Sequence, residues 1–170
     1  MENLFVKNIR EVIRNKKNLE KELNVGISVK GNIVAIDGKS LDEFEAAIIF
    51  DAISFGFSVK KALVLKNEDF VFRRVHIKEH TRRKLKDVKA RLIGTHGKTK
   101  KTFSQISGCE ILIGESEIGI ISYVENVNNV KNALINIIRG SKQGNMYKYL
   151  EKMNRLKREY DPQPQLKNKK

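Results

Sequence analysis

Arg91-Leu92-Ile93-Gly94-Thr95-His96-Gly97-Lys98-Thr99-Lys100-Lys101 sets two glycines three residues apart between two segments of helical character. Neither glycine carries a Cβ, so the main chain can turn sharply and come close to a ligand. The helix that follows points its N-terminal amides, and the positive end of its dipole, at whatever lies over the loop. Lys98, Lys100 and Lys101 add charge that a phosphate would satisfy, with Arg91 as a further cation. Thr95 and His96, the free positions of the loop, are expected to face phosphates. Leu92, Ile93, Ile106, Cys109 and Ile111 are expected to form an apolar surface on which bases lie beside that backbone. Two glycines at this spacing also make an ordinary corner between helices. What favours the ligand here is context: an isoleucine before the loop, lysines after it, and a hairpin and a helix downstream.

Outward from the loop, periodicity supplies the elements. Phe70 to Ile77 reads as a strand and the basic stretch Thr81 to Arg91 as a helix entering the loop. Lys98 to Ile106 resumes helical character with Phe103 and Ile106 facing inward, and Gly108 ends it. Cys109–Ile113 and Gly119–Val124 form a hairpin, and Val127, Val130, Leu134, Ile137 and Ile138 mark a helix that stops near Gly140. Met146, Tyr149, Leu150, Met153 and Leu156 give one more amphipathic helix. The first part runs in a similar order. Ile9, Val12, Ile13, Leu19 and Leu23 repeat at helical spacing; 25–29 and 32–36 make a hairpin about Lys30-Gly31. Ser40 is expected to cap the next helix, with Glu43 completing a capping box. Leu41, Phe44, Ala47, Ile48, Asp51, Ala52 and Phe55 form its stripe, and Gly56 stops it. The order helix, hairpin, helix therefore occurs twice, with a boundary near Lys66-Asn67-Glu68-Asp69.

Charge divides at the same place. Residues 1–70 carry 11 basic and 11 acidic side chains, whereas 71–170 carry 23 and 9, so the net charge of +14 lies wholly in the second part. One sign of charge over so long a stretch is a footprint for nucleic acid, against a merely solvated surface or an acidic membrane. No apolar run is long enough to span a bilayer, and the start of the chain has no signal-peptide pattern. A single cysteine, Cys109, excludes an internal disulfide and a multi-cysteine zinc site and fits a reducing, cytoplasmic setting.

Two enzymatic patterns compete for these residues. Gly94 to Thr99 ends like a nucleotide phosphate loop, but that motif needs four residues between its glycines, and Leu92 stands where the first should be. His76-Ile77-Lys78-Glu79-His80 spells a zinc-protease pattern, which requires a helix to bring both histidines onto one face. His76 instead ends a β-rich run. Neither a catalytic cluster nor a metal or cofactor site is expected, and the chain is read as a non-enzyme. A helix–glycine loop–helix followed by a hairpin is the arrangement of KH modules, in which the loop clamps about four nucleotides of single-stranded RNA. A basic scaffold docking an acidic protein partner is the alternative.

Arg91–Lys101, Ser107-Gly108-Cys109-Glu110-Ile111, and Gly140-Ser141 followed by Met146-Tyr147-Lys148-Tyr149-Leu150-Glu151 together resemble the archaeal and eukaryotic KH-domain ribosome assembly factors called partner of Nob one. Ala52 to Leu63 is similar to the Gly-Phe-Ser turn of that family's first unit. The resemblance implies an α+β chain of two tandem type-I KH domains, each a three-stranded sheet with helices on one face, plus a C-terminal helix. Residues 1–68 would be a degenerate KH domain without the glycine loop, because Arg14 to Asn18 occupies that turn; 69–142 would be the domain with it. Residues 143–160 would be the C-terminal helix and 161–170 a disordered basic tail. It further implies action at the 3′ region of the small-subunit rRNA precursor, alongside the endonuclease that trims it. Association with the alpha subunit of initiation factor two is implied as well. RNA would be held by Arg91, Ile93, Gly94, Thr95, His96, Gly97, Lys98, Lys100, Lys101 and Ile111. Phe55 stands where the family has arginine, and the balanced charge of 1–70 agrees with a first unit that docks protein rather than RNA.

Overall fold

Six strands pair into two separate antiparallel sheets in a computed structural model that describes residues 1–160; the basic tail expected at 161–170 lies outside the described residues. The first sheet runs in the order β1 (Glu2–Phe5), β3 (Ile33–Asp37), β2 (Gly26–Lys30). Its helices are α1 (Ile9–Arg14), α2 (Lys16–Leu23), α3 (Ser40–Phe55) and the short α4 (Val59–Ala62). The second sheet runs β4 (Phe70–His76), β6 (Glu117–Tyr123), β5 (Glu110–Ile113). It carries α5 (Leu85–Ile93), α6 (Lys98–Ser107), α7 (Val127–Arg139) and α8 (Gln143–Tyr160).

The first unit departs from the sequence reading in four places. β1 was not anticipated: its four residues are too few to show alternation, and it becomes a strand only by pairing Glu2–Phe5 against Ile33–Ile36. Helical spacing over 9–23 reads as one helix, but there are two, broken at Asn15 (φ −110°, ψ 14°) within the turn that the family resemblance implies at Arg14 to Asn18. The Asn15 side chain turns back to donate to the Glu11 carbonyl. The capping box does not form. Lys39 precedes the helix, and the Glu43 carboxylate accepts from the Gly38 amide at 3.0 Å and pairs with the Met1 ammonium. Those two donors hold Glu43 below the usual carboxylate range. The stripe assigned to α3 is buried only in part. Ala52 is in the core, but the rest of the buried face is Ala46, Ile49, Phe50 and Ile53, while Leu41 and Phe44 stand 67% and 64% exposed. α3 is apolar nearly all round, so its period fits either face, and contact with the sheet selects one.

In the second unit α5 begins at Leu85 instead of Thr81, because residues 77–79 form a 3-10 turn before it. α8 lies against α6 and α7: Leu150 is buried, Asn154 Nδ2 donates to the Ile106 carbonyl at 2.8 Å, and the Tyr149 hydroxyl donates to Asn129 Oδ1 at 3.3 Å.

The two units share apolar surface. In the register of the second sheet Phe72 faces Ile121, and Arg74, Gly119 and Leu112 lie level, all pointing away from the helices of their own unit. Phe72 and Ile121 are buried in one cluster with the core of the first unit. Phe55, at the end of α3, and Phe57 just beyond it meet Phe72 edge to face, with ring centroids 5.9 Å away. A Cβ at Gly119 would stand 2.6–2.9 Å from those two rings, so a glycine in the central strand is what admits them. The Arg74 guanidinium lies 5.3 Å over the Phe55 ring and pairs with Asp51 of α3. Phe55 is therefore a packing residue between units.

Candidate nucleic-acid interface

The loop owes its shape to its two glycines, in different ways. Gly94 has φ +74°, and a Cβ there would stand 2.7 Å from both Cβ and amide nitrogen of Thr99. Thr99, 8% exposed, fills the inside of the loop, and only glycine lets the chain pass over it. Gly97 (φ +73°, ψ 12°) faces open space, so glycine serves the left-handed conformation and leaves the backbone bare. His96 between them is also left-handed, at φ 52° and ψ 31°, and the Gly97 amide donates to the Gly94 carbonyl at 3.1 Å. The result is a tight turn that delivers the chain to the N-terminus of α6, whose first turn holds no acidic residue.

Most of the residues expected at the loop stand there. Thr95, His96, Lys98 and Lys101 are exposed and Lys100 is half-buried. Among the described residues none of the three lysines forms an ion pair. Free amides, a helix dipole and unpaired cations thus converge on one point, which can hold an anion by charge and by backbone hydrogen bonds.

Two expected site residues stand elsewhere. Arg91 is half-buried, and its Nη2 donates to the Ser141 carbonyl at 2.6 Å, so it ties α5 to the corner between α7 and α8. The Ile111 side chain is 4% exposed and belongs to the core, as do Leu92 and Cys109. The apolar surface read from the sequence was therefore too wide, because β5 turns Ile111 inward beside Ile120. Ile93, 38% exposed, remains on the surface. Main-chain groups supply what the side chain does not. The Gly114 amide donates to the Glu117 carbonyl, so by alternation Leu112 and Glu110 bond to β6. The amides and carbonyls of Ile111 and Ile113 then point to the open edge of β5. Composition and spacing give no sign of that edge; it depends on β6 being the central strand.

The competing patterns dissolve in this geometry. His76 closes β4 with Nε2 3.1 Å from Glu117 Oε1, and a 3-10 turn separates it from His80, so the two do not share a helical face. Among the described residues no group of three or more His, Cys, Asp or Glu could hold a metal ion. The Cys109 thiol lies 2.7 Å from Ser107 Oγ, and burial pushes its pKa up to about 11, which keeps it protonated and unreactive. No helix of the described residues is long and apolar enough to cross a membrane.

Residues 71–155, half of the chain, match the family described as the eukaryotic-type KH domain (KH-domain type I), in its PNO1 second-domain form. The chain belongs to the PNO1-type KH family. KH domain-containing protein MJ0443 of Methanocaldococcus jannaschii is 28% identical over 145 residues, an overlap of 81% of this chain and 64% of that protein. The chain thus spans under two thirds of the length of that curated relative. Among solved structures, APE0754 of Aeropyrum pernix, a protein of unknown function, superposes with a TM-score of 0.82 at 27% identity, covering 94% of this chain and 93% of that one. Dim2p of Pyrococcus horikoshii gives 0.79 at 26%, covering 89% and 99%. A chain of the a/eIF2alpha–aDim2p–rRNA complex of the same organism gives 0.80 at 26%, covering 91% and 93%. Within this PNO1-type chain, the family match includes the Gly94–Gly97 loop, α6, the hairpin β5–β6 and most of α8.

Proposed function

We propose that this PNO1-type protein is a non-enzymatic factor of small-subunit ribosome maturation that grips single-stranded RNA. It consists of two tandem type-I KH domains. The second clamps RNA through the Gly94–Gly97 loop; the first, whose turn at Asn15 lacks glycines, docks protein. The observation that carries the reading is the loop itself: a bare turn passing over Thr99 into a helix N-terminus ringed by unpaired lysines. Phosphates lie against Thr95, His96 and the amides of α6, with Lys98, Lys100 and Lys101 balancing their charge. Bases lie beside Ile93 and read the open main chain of Ile111 and Ile113. The Pyrococcus horikoshii complex, in which a/eIF2alpha, aDim2p and rRNA occur together, supports RNA as the ligand and the alpha subunit of initiation factor two as a protein partner. The 3′ region of the small-subunit rRNA precursor is the proposed target, its trimming endonuclease a further partner, and the cytoplasm the compartment.

Titration of labelled short single-stranded RNA with wild type and with a Thr95→Asp, His96→Asp double variant tests this reading. Two carboxylates at the loop are expected to lower affinity by at least tenfold, since each repels a phosphate where none did before. Log affinity of the wild type should fall against log salt with a slope of roughly −0.7 per phosphate neutralised. Equal binding by the double variant overturns the clamp and leaves a basic scaffold for an acidic protein.

A further inference from the structure

Away from the loop, where the start of α5 meets the end of α7, several cations crowd one corner. A methyl group at Gly140, the residue that ends α7 at φ +115°, would stand 2.8 Å from Arg83 Nη2 and 2.9 Å from Nη1, so that guanidinium lies directly over the glycine. The next residue, Ser141, accepts from Arg91 Nη2, while Arg91 Nε is buried with no hydrogen-bond partner. Arg139 and Lys142 flank the same two residues and are exposed. Helix C-termini do attract cations, and Arg91 meets that demand by donating to a carbonyl. Arg83 does not: among the described residues no oxygen accepts from its guanidinium, although its own carbonyl is held by Lys78 Nζ at 2.8 Å. Among the described residues none of Arg83, Arg91, Arg139 and Lys142 forms an ion pair. Asp87, between Arg83 and Arg91 along α5, is exposed and pairs with neither.

We infer that this corner is a second phosphate site, built from Arg83, Arg91, Arg139 and Lys142 around Gly140, which holds a phosphodiester of the RNA strand beyond the segment clamped by the loop. Two planar guanidinium groups, Arg83 over Gly140 and Arg91 on the adjacent Ser141, suit the bidentate recognition of phosphate oxygens. With no Cβ at Gly140, the Arg83 guanidinium can lie over the end of α7. An anion between the cations relieves their mutual repulsion. Arg91 lies one helical turn, about 5 Å, before Gly94, so a strand leaving the loop along α5 runs toward this corner. The inference rests on RNA binding at the loop and extends the footprint of that site.

Two RNA lengths separate the sites: a strand of about four nucleotides, the span of one loop, and one about three times as long. Wild type is expected to bind the longer strand more tightly. Arg83→Ala, and independently the exposed Lys142→Ala, should leave binding of the short strand unchanged. The same variants should weaken the longer by about tenfold, the worth of one charge-assisted contact. The salt dependence for the long strand should become shallower by roughly 0.7 for each phosphate lost. If both variants bind the long strand as wild type does, or lose both lengths equally, the corner is no phosphate site. If wild type binds neither length, the clamp and the corner fall together; the short strand alone distinguishes that failure from failure of the corner.

Discussion

At Gly94 a methyl group has no room, whereas at Gly97 it has all the room it needs, and the two substitutions separate packing from conformation. Gly94→Ala combines a left-handed backbone with overlap against Thr99 and is expected to cost about 2–4 kcal/mol in chemical denaturation. Gly97→Ala carries the conformational part alone, about 1–2 kcal/mol. A smaller cost at Gly94 than at Gly97 would mean that Thr99 does not fill the loop. Cys109 offers a pH-dependent test. Its folded pKa of about 11 lies above the ordinary 9.0, so the fold holds the proton more tightly than the unfolded chain does. That stabilisation is complete below pH 9 and is lost as pH rises from 9 through 11. Denaturant midpoints across this range should fall more steeply for wild type than for Cys109→Ala. Parallel curves would remove the buried thiol as the cause. Ile111 marks where side-chain reasoning stopped. Its type and its place after Gly108 were legible, but not which edge of the strand was free.

Elements were more legible than the faces they bury. The second hairpin, the glycine that ends α7 and the helix on each side of the loop all follow from period and punctuation. β1 has four residues and no pattern of its own, so only pairing with β3 reveals it. α3 failed differently: Leu41, Phe44 and Ile48 satisfy a helical stripe as well as Ala46, Ile49, Phe50 and Ile53 do, and the sheet selects the second set. Substitution at each face checks this. Phe44→Ser should change stability by no more than about 0.5 kcal/mol, whereas Phe50→Ala, at 0% exposure, should cost about 3–5 kcal/mol. Comparable losses would return the sequence-derived stripe to the core. Gly119 in β6 answers to a different element. Gly119→Val would favour the strand by propensity, yet its side chain would meet the rings of Phe55 and Phe57. A lower melting temperature, by about 1–3 kcal/mol of stability, is expected, and a rise would show that the rings can move aside.

For the whole molecule, the division of charge and the union of cores pull in opposite directions. All of the +14 lies in residues 71–170, yet Phe72 and Ile121 of that part are buried with Val12, Leu19 and Phe50 of the other. A truncation to residues 69–160 keeps the loop and the helices α5 and α6 on either side of it but uncovers Phe72, Leu112 and Ile121. Its unfolding midpoint should fall well below that of the full chain, while short-strand affinity at low temperature stays near wild type. A truncated form as stable as the whole would mean that the shared cluster contributes little. The wedge of Phe55 and Phe57 against Gly119 also has a geometric consequence. It fixes the angle between a strand held at the loop and any body resting on the outer side of α3. Such a pair would be presented to each other at one bearing, as a jig holds two workpieces.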